Sequence, residues 1–221
     1  MITVIIPTLN EAEHIGGLLQ QLLDSDCGQI ADILVADGGS RDGTRAIVAD
    51  FSKIDPRVRL VENPRQIQSA GINAAAALAD PRSEVFVRLD AHAGYPAGYV
   101  NALAAALRQT GADSVVVRLR SRASGCFQRA AAAAGNSKLG TGGSQHRIGG
   151  KSRWIDHGHH AAFRRAAFAG VGGYDERFRA NEDAELDFRL REAGSRIWFA
   201  SEFEVDYYPR RTARALARQY Y

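Results

Sequence analysis

Apolar and polar positions exchange between two periods along the first half of the chain. Residues 2–7, "ITVIIP", are apolar but for Thr3, which predicts a strand of a covered sheet. Residues 10–24, "NEAEHIGGLLQQLLD", then place Ile15, Leu18, Leu19, Leu22 and Leu23 at helical spacing, with Thr8 or Asn10 set to cap the helix. The exchange repeats. "ADILVAD" (31–37), "VRLVEN" (58–63), "EVFVRL" (84–89) and "DSVVVRL" (113–119) predict strands. Between them, 44–52, 69–79 and 96–110 predict helices, the last opened by Pro96. Strands alternating with helices across short turns predict an α/β fold, a Rossmann-like, mostly parallel sheet with helices on both faces. Ligands of such sheets bind beyond the carboxyl ends of the strands. Pro7-Thr8, Asp37 and Asp90 close strands one, two and four, so the pattern alone gathers them on one rim.

The second half is less regular. Residues 121–153 are rich in Gly, Ser, Ala and Arg; 128–140 predicts a helix and 140–152, "GTGGSQHRIGGKS", a mobile loop. Residues 181–194, "NEDAELDFRLREAG", have an N-cap residue, acids in the first turn and a closing glycine, the marks of a helix. Residues 196–200 and 204–209 predict strands. No internal repeat or boundary appears. The expected organisation is one domain over 1–221, with a first half to about 120 and a second half after it.

Composition narrows the class. With 45% hydrophobic and 24% charged residues the chain is globular, and no apolar run is long enough to cross a bilayer. The N-terminus lacks the basic-then-apolar layout of a signal peptide. Cys27 and Cys126 are far apart and outside metal-ligand spacing, so a reducing, cytoplasmic setting is expected. The net charge is +3, and of 28 basic residues only Lys53, Lys138 and Lys151 are lysine. Arginine forks suit phosphate, but the basic residues are not clustered with aromatics as nucleic-acid binding needs. Arg211, Arg214 and Arg218 share one predicted helical face, which reads as a solvated face or as one that meets phosphates or a membrane surface. The sequence stops mid-pattern at "RQYY", which suggests a piece of a longer protein whose remainder carries a membrane anchor.

Several polar groups could carry chemistry. Asp90 and His92, two residues apart on a strand-to-loop bend, offer one carboxylate oxygen and one imidazole nitrogen, a set suited to a divalent ion such as manganese. Taken alone, the pair reads equally as a turn-capping acid and a satisfied rim histidine. Asp37 precedes Gly38 and Gly39, which permit a tight turn and close approach of a ligand; its carboxylate suits a base N–H or a ribose hydroxyl, or simply caps the turn. The spacing of "GGSRDG" does not match the dinucleotide fingerprint. Glu182 and Asp183 open a helix, where the helix dipole favours carboxylates; one of them could equally serve as a general base. "DHGHHAAF" gathers His157, His159 and His160, candidates for metal or anion binding or for ordinary packed residues.

In this order, "VIIPTLNE", "ILVADGGSRDGT", "NPRQIQSAGINAAAALA", "VRLDAHAGYP", "AFRRAAFAGVGGYDERFRANEDAELDFRLREAG" and "IWFA" resemble glycosyltransferase family 2, enzymes of GT-A fold that use nucleotide sugars. The form "RLDAHAGYP" is most similar to bacterial exopolysaccharide enzymes of the succinoglycan glucosyltransferase type. The resemblance implies roles. Pro7, Thr8, Glu11, Asp37 and Gly38 would hold the uridine, with Asp37 on the base, and Asn73 would line the donor pocket. Asp90-Ala91-His92 would stand for the family's D-x-D and bridge a manganese or magnesium ion to the diphosphate, with His159 or His160 as a further ligand. Asp183, beside Glu182, would be the catalytic base. His92 replaces the usual second acid, a D-x-H form that a related sugar-transferase group uses with manganese. The Q-x-x-R-W of processive members is absent, which favours transfer of a single sugar.

The expectation is therefore an inverting enzyme moving one hexose, glucose first, from a UDP-sugar to a lipid-linked saccharide, at the inner face of the plasma membrane. The stretch Thr141–Gly150 would act as a lid. Two other readings remain at this stage. A metal-dependent nucleotidyltransferase would want a basic, Gly-rich loop where "PTLNEAEHI" offers acids. A non-catalytic nucleotide-sugar-binding module would need loss of the base, yet Glu182 and Asp183 are both present.

Overall fold

The computed structural model describes residues 1–25, 28–123, 125–137, 149–208 and 212–220. The strands among them are β1 (Ile2–Thr8), β2 (Ile30–Asp37), β3 (Val58–Glu62), β4 (Val85–Arg88), β5 (Ser114–Ser121), β6 (Arg153–Ile155), β7 (His160–Arg164) and β8 (Ile197–Tyr207). The helices are α1 (Ile15–Asp24), α2 (Thr44–Ile54), α3 (Gln68–Ala77), α4 (Tyr99–Thr110), α5 (Cys126–Gly135), α6 (Arg165–Gly170), α7 (Glu182–Glu192) and α8 (Ala213–Tyr220). All eight strands join one sheet in the order β3-β2-β1-β4-β7-β5-β8-β6. β1, β2, β3 and β4 run parallel to one another, as β5 does to β8, while β7 is antiparallel to both its neighbours and β6 to β8.

Side-chain alternation divides the core into two layers. Ile2, Val4 and Ile6 of β1 face α1, α2 and α4, together with Ile33, Val35, Val85 and Val87. Ile5, Leu34, Ala36 and Phe86 face the other way, onto Ile72 of α3, Phe168 of α6 and Leu186 and Leu190 of α7. Phe163 of β7, Phe168 and Tyr174 cluster in that second layer, with ring centroids 5.3–6.3 Å apart and Tyr174 meeting both phenylalanines edge-on. The apolar runs of β1, β2 and β4 are thus covered on both sides by helices.

Four departures from the sequence expectations have local causes. β5 does not lie beside β4, because β7 inserts between them; the short "HAAFR" run, flanked by histidine and arginine, carries no strand signal of its own. β6 and α6 are likewise absent from the pattern. Residues 196–200 and 204–209 form one strand, and its register on β5 jumps from Ala200 opposite Val117 to Glu204 opposite Arg118, so 201–203 bulge out. Finally, α1 begins at Ile15 without a side-chain cap. Asn10 adopts φ 57° and accepts from Arg41 N–H at 2.9 Å, and the Thr8 hydroxyl faces the Ala36 carbonyl instead. Both supposed capping residues serve the joint between the β1 and β2 ends. The predicted lid lies largely outside the described residues, as does Cys27. No described helix is long and apolar enough to cross a membrane.

Candidate active site at the carboxyl rim

The rim is laced before any ligand is considered. Thr8 O accepts from Gly38 N–H at 2.8 Å, which ties the ends of β1 and β2. Beyond it, Asn10 N–H donates to Ser40 Oγ at 2.8 Å, Glu11 N–H to Thr44 Oγ1 at 2.8 Å and Ala12 N–H to Asp42 Oδ2 at 3.0 Å. Asp37, fully buried at the end of β2, accepts on Oδ2 from Gly39 and Ser40 N–H at 3.0 Å and from Arg45 Nη1 at 2.9 Å. Gly39 must be glycine to make this turn at φ +86°. Burial raises the Asp37 pKa, but hydrogen bonds from Ser40, Arg45 and Gly39 outweigh it and hold the carboxyl below its usual value. Arg45 also reaches Glu62. The other Asp37 oxygen, Oδ1, is buried with no hydrogen-bond partner among the described residues. An acceptor fixed in place and left unsatisfied is costly unless a ligand donor meets it.

Asp90 follows β4. The Tyr95 hydroxyl closes the turn around it, accepting from Asp90 N–H at 2.6 Å, and Gln68 Nε2 donates to Asp90 Oδ1 at 3.2 Å. Burial raises the Asp90 pKa, but Arg88, His159 and His92 nearby outweigh that, so the carboxyl stays ionised below its usual range. Ala91 is buried, which leaves Asp90 and His92 to flank it. His92 Nδ1 lies 2.8 Å from Glu11 Oε1, across the gap from the β1 loop.

The end of β4 also explains a contact that the sequence order conceals. Arg88 is two residues beyond Phe86 and therefore points into the layer that holds α7. Its side chain is only 5% exposed, and its Nη1 donates to Asp183 Oδ1 at 2.8 Å and to the Tyr174 hydroxyl at 3.2 Å. The Tyr174 hydroxyl in turn donates to the same Asp183 oxygen at 2.8 Å. On the second oxygen, His159 Nδ1 stands 3.2 Å from Asp183 Oδ2, while its Nε2 lies 3.8 Å from Asp90 Oδ2. Arg88 Nε is 3.6 Å from Asp90 Oδ1. Burial disfavours the Arg88 charge, but Asp183, Tyr174 and Asp90 outweigh it and hold the guanidinium firmly protonated. One buried cation thus spans the two carboxylates expected to hold the metal and to act as base.

The Asn73 amide is engaged at both its nitrogen and its oxygen. Its Nδ2 donates to Tyr174 O at 2.8 Å and Glu176 Oε1 at 3.0 Å, and its Oδ1 accepts from Tyr174 N–H at 2.9 Å. It fixes the loop that delivers Tyr174 and so Asp183. Gly173, at φ +71°, adjoins this clamp, and a Cβ there would sit 2.5 Å from Asn73 Oδ1. Gly173→Ala is expected to destabilise the fold by about 1 kcal/mol or more from the left-handed backbone alone, with further loss as Asn73 gives way; thermal unfolding checks it.

Of the remaining expected residues, Pro7 and Thr8 line the β1 end, and Glu182, half-buried, adds its charge beside Asp183 near Arg88. His157 turns away to Asp187, 2.7 Å from Oδ2. The side chains of His160 and Arg218, and all of Arg211, lie outside the described residues. Sequence reasoning missed Arg88, Tyr174, Tyr95 and Gln68. Only Arg88 left a trace, as a charge inside a buried strand.

The family model for glycosyl transferase family 2 matches residues 3–172. The chain belongs to this family. Among relatives, it is 48% identical over 218 residues to "Succinoglycan biosynthesis protein ExoA" of Rhizobium meliloti (strain 1021), an alignment covering 99% of this chain and 66% of that one. The family fold extends to solved structures. The mannosyltransferase PcManGT from Pyrobaculum calidifontis, in complex with GDP-Man and Mn2+, superposes with a TM-score of 0.72 at 23% identity, over 98% of this chain and 59% of that one. TarS 1–349 of S. aureus, in complex with UDP, gives 0.69 at 14% identity, over 94% and 60%. The chain therefore spans about two thirds or less of each of these proteins. These glycosyltransferases share the GT-A architecture, which confirms the fold expected from the sequence.

Proposed function

We propose that the chain is the catalytic part of an inverting glycosyltransferase that transfers a single hexose from a UDP-sugar to a lipid-linked saccharide during exopolysaccharide assembly. The observation that carries this reading is the convergence, on one rim, of a buried acceptor awaiting a donor (Asp37 Oδ1), an ionised Asp90 beside His92, and Asp183 held by Arg88 and Tyr174. Kinship to a succinoglycan biosynthesis protein supports the exopolysaccharide setting, and the TarS complex with UDP supports a uridine donor. Glucose is the sugar proposed first.

In this account Asp37 Oδ1 accepts from the base N–H, with Pro7, Thr8 and Gly38 closing around the nucleoside. The donor set at the β4 end suits a divalent cation, since Asp90 is an ionised oxygen ligand and His92 a nitrogen ligand oriented by a carboxylate. No three His, Cys, Asp or Glu side chains among the described residues form a cage of their own. Diphosphate oxygens would therefore complete the coordination, as is usual for manganese or magnesium at nucleotide sites. When bound, such a cation would offset the negative charge that develops on the departing diphosphate. Arg88 and Tyr174 hold Oδ1 of Asp183, and Oδ2, which His159 Nδ1 faces at 3.2 Å, accepts the proton of the acceptor hydroxyl as the hydroxyl oxygen attacks the anomeric carbon. Attack opposite the diphosphate inverts the configuration in one displacement.

The test is transfer of label from radioactive UDP-glucose, UDP-galactose or UDP-N-acetylglucosamine to lipid-linked saccharides extracted from an exopolysaccharide-producing bacterium. Addition of one residue per acceptor from one donor is expected; no transfer from any donor overturns the reading. Asp37→Asn is expected to weaken UDP binding roughly tenfold, as loss of one hydrogen bond to a charged acceptor would, measured by calorimetry.

A further inference from the structure

Glu11 and His92 lie 81 positions apart, and their contact bridges the loops after β1 and β4. The Glu11 end of this contact is anchored. Glu11 is fixed at its backbone: its N–H donates to Thr44 Oγ1 at 2.8 Å, and its carbonyl accepts from His14 and Ile15 N–H at 3.0 and 2.9 Å. Its side chain is 16% exposed, against 42% for His92. An imidazole that open to solvent turns readily about its side-chain bonds. With the anchored carboxylate 2.8 Å from Nδ1, the ring is held in one plane. It is also held in one tautomer, with the proton on Nδ1 and the lone pair on Nε2.

Resting on the reading that Asp90 and His92 present a divalent ion to the donor diphosphate, we propose that Glu11 is a positioning residue for that ion. It acts through His92, directing Nε2 towards the metal, and it does not contact the uridine as the family resemblance implies. Geometry separates the two roles. The buried acceptor suited to a base is Asp37 Oδ1, at the end of β2. The Glu11 carboxylate faces the imidazole instead. A carboxylate on the far nitrogen raises the basicity of the ligating one and removes the entropy of ring rotation. That compensates for an imidazole standing where a second carboxylate would supply charge.

The experiment measures Mn2+ affinity in the presence of saturating UDP, from the EPR signal of free Mn2+, and UDP affinity without metal by calorimetry. Glu11→Ala is expected to weaken Mn2+ binding about 10–100-fold and to leave metal-free UDP binding unchanged. Glu11→Gln, whose carbonyl still accepts from Nδ1–H, is expected to lose less. In a His92→Ala background, Glu11→Ala is expected to have no further effect. The nitrogen modulation that His92 gives bound Mn2+ in pulsed EPR should disappear in His92→Ala and weaken in Glu11→Ala. If Glu11→Ala weakens metal-free UDP binding, or if its effect is the same with and without His92, the proposal is overturned while the metal reading stands. If His92→Ala leaves Mn2+ affinity and the nitrogen signal unchanged, the metal reading fails and the proposal fails with it.

Discussion

Asp183→Asn is expected to lower turnover of the donor by about 10²–10⁴-fold, the range for loss of a general base, while UDP binding stays within about twofold because the proposed nucleoside contacts, at Asp37 and the β1 end, do not include Asp183. Steady-state kinetics with the preferred donor, paired with UDP calorimetry, check both halves. The size of the effect follows from the geometry. Asp183 Oδ1 is held by two donors, Arg88 Nη1 and the Tyr174 hydroxyl, each at 2.8 Å. The asparagine amide can present its oxygen to both and preserve the packing. It then turns an N–H towards the acceptor, which cannot take a proton. A non-catalytic sugar-nucleotide module would show no turnover to lose.

The second large effect concerns Arg88. Arg88→Met is expected to destabilise the fold by about 3–5 kcal/mol, the usual consequence of removing one partner from a buried ion pair. At this chain length that lowers Tm by roughly 6–20 °C. The penalty arises because Asp183 and Asp90 stay in place without their shared counter-charge. The sign of its pH dependence follows. In the parent protein the Asp90 carboxyl titrates below its usual value, so its contribution is present above the unfolded pKa and is lost as pH falls through the lower folded one. In Arg88→Met the first of the influences that lower the Asp90 pKa is gone, so burial shifts that carboxyl upward relative to the parent protein. The deficit should be greatest near neutral pH and shrink as pH falls through the carboxylate range. A Tm difference between the two proteins that does not vary with pH would contradict this account of Arg88.

Where the fold was legible, the reason is local. Largely apolar runs such as "ITVIIP" and "ILVA" are covered by helices on both faces, and the helix over 181–194 announces itself through its acids and closing glycine. β7 was not legible, because a five-residue strand between β4 and β5 is defined by antiparallel partners far away in the chain. Its insertion lets β5 and β8 continue the sheet beyond β4.

The site divides the same way. Asp37 and Asp90 could be placed on the rim because each ends a readable strand. The link between Arg88 and Asp183 spans 95 positions and depends on α7 packing over the face that Phe86 shares. The alternation Phe86, Arg88 held that information, but only once the covering helix was known. Asn73 shows another limit: the resemblance alone pointed to it, and its clamp on the Tyr174 loop, 101 positions away, left no mark in the sequence.

The central claim is that Asp90 and His92 hold a divalent ion against a nucleotide diphosphate. Its most direct test is a calorimetric titration of UDP into the protein with and without manganese, repeated on His92→Ala. The account predicts binding that manganese strengthens about tenfold or more, an increment that His92→Ala removes, in line with loss of a ligand contact. UDP binding indifferent to manganese in the parent protein would contradict it and leave the Asp90 turn a structural feature of the rim.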